Sequence, residues 1–335
     1  RIIEENYDAM CRYIDYLRAQ GEPGKLVSVG PLGDWLAADM STDNPLLWNA
    51  VYYHDANIMG QMAEAIGRED DAKRFSALAD EIKKVWNETF VDPETGKTRN
   101  MAGQINDTQC SYSMPLEYGV FNEPAKAASH LARKTGEVGY TVTTGFVGTG
   151  PLCPALCEGG FADAAYKLIR QTEYPSWLYS VTQGATTIWE RWNSVTSTEG
   201  FGGNNAMNSF NHYSLGAVGA WLYGYVLGIR RGNDADGFKH FLYRPYIGGF
   251  ERVSGHFDSL YGRIASEWEQ KDGALHIRLV IPANSSATVA LPGGSMTVNG
   301  APADKCKDIT DLHVTGEGNQ FNAAAGTYEF VIKNQ

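Results

Sequence analysis

Within residues 175–213 the chain places three tryptophans (Trp177, Trp189 and Trp192) around a lone Glu190–Arg191 pair. It then runs through a Gly/Asn-rich stretch into Phe210-Asn211-His212-Tyr213. Aromatic faces beside a single carboxylate suit chemistry on a sugar: rings stack on the C–H face of a pyranose, and an apolar wall tunes the carboxyl pKa. The same residues also fit a buried helix start in which Glu190 is paired with an arginine. Upstream, Gly33-Asp34-Trp35-Leu36 sets a second acid beside a tryptophan, which reads equally as a turn residue next to a core side chain. His54 lies among tyrosines, the usual setting of a hydrogen-bonded core histidine rather than a ligand.

Residues 184–192, GATTIWERW, are followed by residues 209–219, SFNHYSLGAVG. Together these blocks resemble the α-L-rhamnosidase family of inverting glycoside hydrolases, and residues 33–36 match a further block of that family. The resemblance implies that Glu190 is the general base that activates water. It implies that His212 hydrogen-bonds a sugar hydroxyl and that Trp35 packs on the deoxy-sugar, whose methyl group favours an apolar patch. Asp34, Trp177 and Trp192 join them as candidate substrate-binding residues. The expected ligand is a rhamnose-containing carbohydrate, with no cofactor and no metal.

Inversion needs two carboxyl groups roughly 6.5–9.5 Å apart, one to deprotonate water and one to protonate the leaving oxygen. The family's general acid lies in an acidic, arginine-containing motif, and this chain holds no copy of it. Asp34, Asp107, Glu117 and Glu158 are the carboxylates in site-side segments, and none has that context. The acid is therefore expected upstream of Arg1, with residues 1–335 alone turning over poorly. Two other classes stay open. One is a glycan-binding protein without catalysis. The other is a different glycosidase on the same toroid, such as an unsaturated-uronyl hydrolase or a trehalose-type hydrolase. Arg191 is the one cation beside Glu190, which suits an anionic uronate poorly.

The elements that must position these residues are mostly helical. Ile3, Tyr7, Met10, Ile14 and Leu17 share one face of a first helix over residues 2–20, and the chain is expected to begin inside an element of a longer protein. Helices are expected near residues 46–66, 70–89, 106–118 (with Asp107 as cap), 122–136, 159–172, 186–195 and 211–227. The Gly-rich residues 142–150 read as a turn that lets helix ends approach, and by resemblance Thr144-Gly145-Phe146 sits on the site side. Such consecutive hairpins suggest an (α/α)6 toroid, incomplete at its N-terminus, over residues 1–232. From 233 to 335 alternation takes over, as at Leu275, Ile277, Leu279 and Ile281. Strands near 287–291, 296–298 and 328–332, with a hairpin signal at Asn299-Gly300, predict a small antiparallel β-sandwich. The resemblance implies the same C-terminal domain.

A net charge of −11 without a basic run makes nucleic acid and anionic membranes poor partners. Five scattered cysteines argue against a disulfide framework, and Cys153 and Cys157 read as buried thiols. Compartment and oligomeric state are left open by these features.

Overall fold

The computed structural model describes residues 1–21, 26–28, 30, 32–198, 200–201, 206–232, 237–315 and 318–333. The chain divides into two compact units, Arg1–Ala217 and Val218–Gln335.

The first unit is helical among its described residues: α1 (Ile2–Gln20), α2 (Asn44–Ala65), α3 (Glu69–Phe90), α4 (Gln109–Tyr118), α5 (Pro124–Glu137), α6 (Phe146–Glu158), α7 (Ala162–Arg170) and the short α8 (Trp177–Thr182). Neighbours pair as hairpins, α2 with α3, α4 with α5 and α6 with α7, while α4 also packs on α2 and α6. The two helices of each hairpin differ in character. In α3 an apolar stripe (Phe75, Leu78, Ala79, Ile82, Trp86, Phe90) is buried opposite a charged face, and Glu69, Asp70 and Asp71 favour its positive N-terminal end. In α2, α4 and α6 buried residues lie all round, as expected of helices enclosed by others. These three form the inner layer.

Their N-terminal ends are tied together. Asp43 N–H donates to Asn106 Oδ1 (2.8 Å), and the hydroxyls of Thr42 and Thr108 are 2.8 Å apart, joining the starts of α2 and α4. Asp39 N–H donates to Thr143 O (3.0 Å), bringing in the start of α6. The cap of α4 is Thr108, in a reciprocal box with Ser111, and not Asp107 as expected. Asp107 instead meets Arg133, Lys97 and the Tyr112 hydroxyl. The expected turn at 142–150 is also corrected: from Phe146 it is already helix, because Asp34 supplies the cap from far upstream. Cys153 and Cys157 are buried thiols within that helix.

The second unit opens with Val218–Trp221 and a π-helical turn, Leu222–Val226, where one continuous helix to residue 227 is expected. Among the described residues eleven strands follow: β1 (Ile229–Arg231), β2 (His240–Tyr243), β3 (Arg252–Ser259), β4 (Gly262–Lys271), β5 (Ala274–Ile281), β6 (Ser286–Pro292), β7 (Ser295–Val298), β8 (Ala301–Pro302), β9 (Ile309–Val314), β10 (Gly318–Ala323) and β11 (Gly326–Lys333). They form two sheets, ordered β1-β2-β6-β10-β9 and β3-β4-β5-β11-β7-β8. All pairs are antiparallel except β2 with β6. Inward residues meet across the sheets, with Phe321 and Phe330 rings 5.6 Å apart and the Tyr243 and Ser266 hydroxyls 2.9 Å apart. Asn299 (φ 49°) and Gly300 (φ 80°) both take left-handed backbone, the two-residue turn that joins β7 to β8. Among the described residues no helix is long and apolar enough to cross a membrane.

Candidate active site

Glu190 does not lie on a helix. The expected helix over 186–195 is replaced by an irregular segment of bends and turns whose backbone bonds to residues 209–212. Glu190 N–H donates to Ser209 O (2.9 Å), and Ser209 N–H donates back to Glu190 Oε2 (2.7 Å). His212 N–H donates to Ile188 O (2.9 Å), and the Thr187 hydroxyl donates to Phe210 O. β-Branched Thr186, Thr187 and Ile188 lose χ1 freedom in a helix, so pairing wins here. Glu190 is 9 % exposed. Among the described residues no protein group hydrogen-bonds its Oε1. It makes no ion pair with Arg191, so the buried-pair reading of the sequence does not hold.

Trp177 and Trp192 are core residues. Trp177 Nε1–H donates to Leu215 O (2.8 Å), Trp192 Nε1–H donates to Thr144 O (2.8 Å), and the two rings meet edge to face at 5.6 Å. They are 8 % and 3 % exposed. Their indole N–H groups satisfy buried carbonyls, the usual requirement for a buried tryptophan. Trp189 is buried as well, edge-on to Phe210.

Trp35 is 36 % exposed and lies at the N-terminal end of the inner helices. Its carbonyl accepts from Phe146 N–H (3.0 Å), and a Cβ on Gly145 would fall 2.2 Å from that same oxygen, so only glycine permits the approach. Asp34 is buried, and both its carboxylate oxygens are engaged: Oδ2 accepts from Gly145 N–H (2.7 Å), Oδ1 from Val147 (3.1 Å) and Gly148 (3.0 Å). Burial pushes its carboxyl pKa up, against the downward pull of these donors and of the Cys110 thiol. All three of these donors belong to the start of α6.

Phe146, which sequence reasoning passed over except as part of a turn, links the two halves of the site. Its ring stacks on His212 (4.9 Å between centroids), and His212 stacks in turn on the exposed Tyr213 (5.3 Å). His212 Nδ1 accepts from Ser214 N–H (3.3 Å), so in the neutral ring the proton sits on Nε2, a donor for a hydroxyl. A contiguous path therefore runs from Trp35 through Phe146 and His212 to Ile188 and Glu190.

The other acids lie elsewhere. Asp107 is half-buried, which by itself raises its pKa. The Tyr112 hydroxyl, Arg133 and Lys97 outweigh that and hold it below the ordinary carboxylate range. Glu117 is near the C-terminal end of α4 and Glu158 ends α6, at the opposite ends of these helices from Trp35. Burial, reinforced by the charge of Glu158, pushes Glu117 up. His54 stacks on Tyr118 at 4.1 Å, and burial lowers its pKa, as suits a core residue. Among the described residues no group of three His, Cys, Asp or Glu side chains could hold a metal ion.

Helical hairpins followed by a two-sheet domain, with a carboxylate and aromatic rings near the start of α6, make up this scaffold. Comparison with known proteins makes this specific. Residues 1–226 match the bacterial alpha-L-rhamnosidase 6 hairpin glycosidase domain, and residues 228–303 match the bacterial alpha-L-rhamnosidase C-terminal domain; the chain belongs to this family. It is 32 % identical over 345 aligned residues to an alpha-L-rhamnosidase of Formosa agariphila, covering 99 % of this chain and 36 % of that protein. It is 31 % identical to one of Streptomyces avermitilis, covering 87 % of this chain and 27 % of that protein. Among solved structures, the Streptomyces avermitilis alpha-L-rhamnosidase complexed with L-rhamnose superposes with a TM-score of 0.88 at 29 % identity, covering 99 % of this chain and 31 % of that one. The alpha-L-rhamnosidase from Dictyoglumus thermophilum superposes with a TM-score of 0.86 at 26 % identity, covering 99 % and 37 %. The chain thus spans about a third of the length of the relatives it matches.

Proposed function

We propose that the full-length protein hydrolyses terminal α-L-rhamnosides with inversion, with Glu190 as the base that activates water. The observation that carries this reading is the path of contacts from Trp35 to Glu190, which gathers an apolar ring, a hydroxyl donor and a carboxylate in one place. Glu190 keeps Oε2 on Ser209 N–H, which orients the group, while Oε1 is the atom that takes the proton from water. His212 Nε2–H holds a ring hydroxyl, and Trp35 packs on the apolar face of the deoxy-sugar.

The proton for the departing oxygen comes from a carboxyl group outside residues 1–335. Asp34 is engaged by three N–H groups, Asp107 is held ionised by its cations, and Glu117 and Glu158 lie at the far helix ends. Release of rhamnose from p-nitrophenyl α-L-rhamnoside by the full-length protein, with the anomeric outcome followed by NMR, tests the reading. Inverted product that disappears in Glu190→Gln is the expected result. Tight rhamnose binding without turnover would overturn it in favour of a glycan-binding protein.

A further inference from the structure

We propose that Asp34 is a positioning residue for sugar binding, which places Trp35 and the Phe146–His212 stack by holding the start of α6. The inference rests on the rhamnoside reading above and adds to it a residue that touches no substrate. Asp34 lies more than a hundred positions before its three donors, Gly145, Val147 and Gly148, so it closes a long-range joint rather than a local turn. Two further contacts tighten that joint, namely Phe146 N–H on Trp35 O and the Gly145 Cα packed where no Cβ fits. The joint has Trp35 on one side and Phe146, under His212, on the other.

The buried carboxylate also faces the first turn of α6, where unpaired N–H groups and the helix dipole favour negative charge. An asparagine cannot reproduce this arrangement. Gly145 N–H approaches one oxygen while Val147 and Gly148 approach the other, so either orientation of the amide turns its NH2 against a backbone N–H. The joint must then open, moving Trp35 away from the His212 side. Glu190 is linked to this joint through Trp192 and Thr144 and through His212 and Ile188, but two bonds to Ser209 anchor it directly, so its carboxylate shifts less than Trp35. Substrate binding should therefore suffer more than the chemical step, which a merely stabilising carboxylate would not produce.

The test compares full-length wild type, Asp34→Asn and Gly145→Ala, all well below their melting temperatures, with near-UV circular dichroism as the check on folding. KM for p-nitrophenyl α-L-rhamnoside and Kd for rhamnose should both rise roughly tenfold in Asp34→Asn, with kcat changed less than about threefold. Gly145→Ala, which forces the same joint apart without touching the Asp34 charge, should show the same split and carries the test if Asp34→Asn does not fold. A lower melting temperature with KM and Kd unchanged would overturn the inference and leave Asp34 a stabilising residue. A wild type that neither cleaves nor binds rhamnosides would instead overturn the proposed function, and this inference with it.

Discussion

Glu190 and Ser209 hold each other twice, backbone to backbone and backbone to carboxylate, across a loop. The reciprocal bond fixes the carboxylate without an ion pair, so the group can change charge without breaking its anchor. In Glu190→Gln the amide oxygen can still accept from Ser209 N–H, and the fold should survive. A base contributes about 10²–10⁴-fold to rate, so kcat for a rhamnoside should fall by about that factor. Rhamnose affinity should change little. A variant that keeps more than about a tenth of the wild-type kcat would remove Glu190 from the role of base.

His212 offers one donor on a ring clamped between Phe146 and Tyr213. Replacing it by phenylalanine keeps the stack and deletes Nε2–H. One neutral hydrogen bond is worth about 0.5–1.5 kcal/mol, so KM should rise between about twofold and tenfold, with a smaller effect on kcat. Steady-state kinetics on the full-length variant decides it, since an unchanged KM would show that no hydroxyl is held there.

The hairpin pattern and the site's motif blocks were legible because they depend on local features. Stripes such as Phe75-Leu78-Ile82-Trp86 mark outer helices directly, and Asn299-Gly300 marks its turn through the left-handed backbone that both residues accept. What stayed hidden depends on distant partners. Residues 146–158 carry glycines and two prolines and lack a local cap, and Asp34 is what starts that helix. The partners of Trp177 and Trp192 were hidden too, because composition cannot show which carbonyl an indole N–H satisfies. Strands β3 and β4 alternate more weakly than β5, with exposed charges in the pattern, and the parallel contact of β2 with β6 has no signature in either strand.

The bond from Trp192 to Thr144 has a measurable consequence. Trp192→Phe leaves the buried Thr144 carbonyl without its donor and opens space beside Trp177. The unsatisfied carbonyl alone costs about 1–3 kcal/mol. The urea midpoint should fall accordingly. A variant as stable as wild type but weaker in rhamnose binding would return Trp192 to the sugar.

The Asp107 cluster governs part of the acid stability. Its carboxylate receives Tyr112 and Arg133 and pairs with Lys97, so its pKa in the folded chain lies below the unfolded value of about 3.9. A depressed acid stabilises the fold above its unfolded pKa, and that contribution is lost as the pH falls through the folded value. Asp34 works in the opposite sense, since burial raises its pKa and its charge opposes folding as the pH rises past the unfolded value. A single stability curve mixes the two. The difference between wild type and Asp107→Asn removes Asp34 from the comparison. That difference, read from urea midpoints at successive pH values, should be largest and flat above about pH 5 and shrink steadily below about pH 4. Lost hydrogen bonds to a charged group suggest a plateau of about 1.5–3 kcal/mol, lower in high salt because the cluster is partly open to solvent. A difference that does not shrink on acidification would mean that Asp107 stabilises the fold by packing alone and that its charge plays no part.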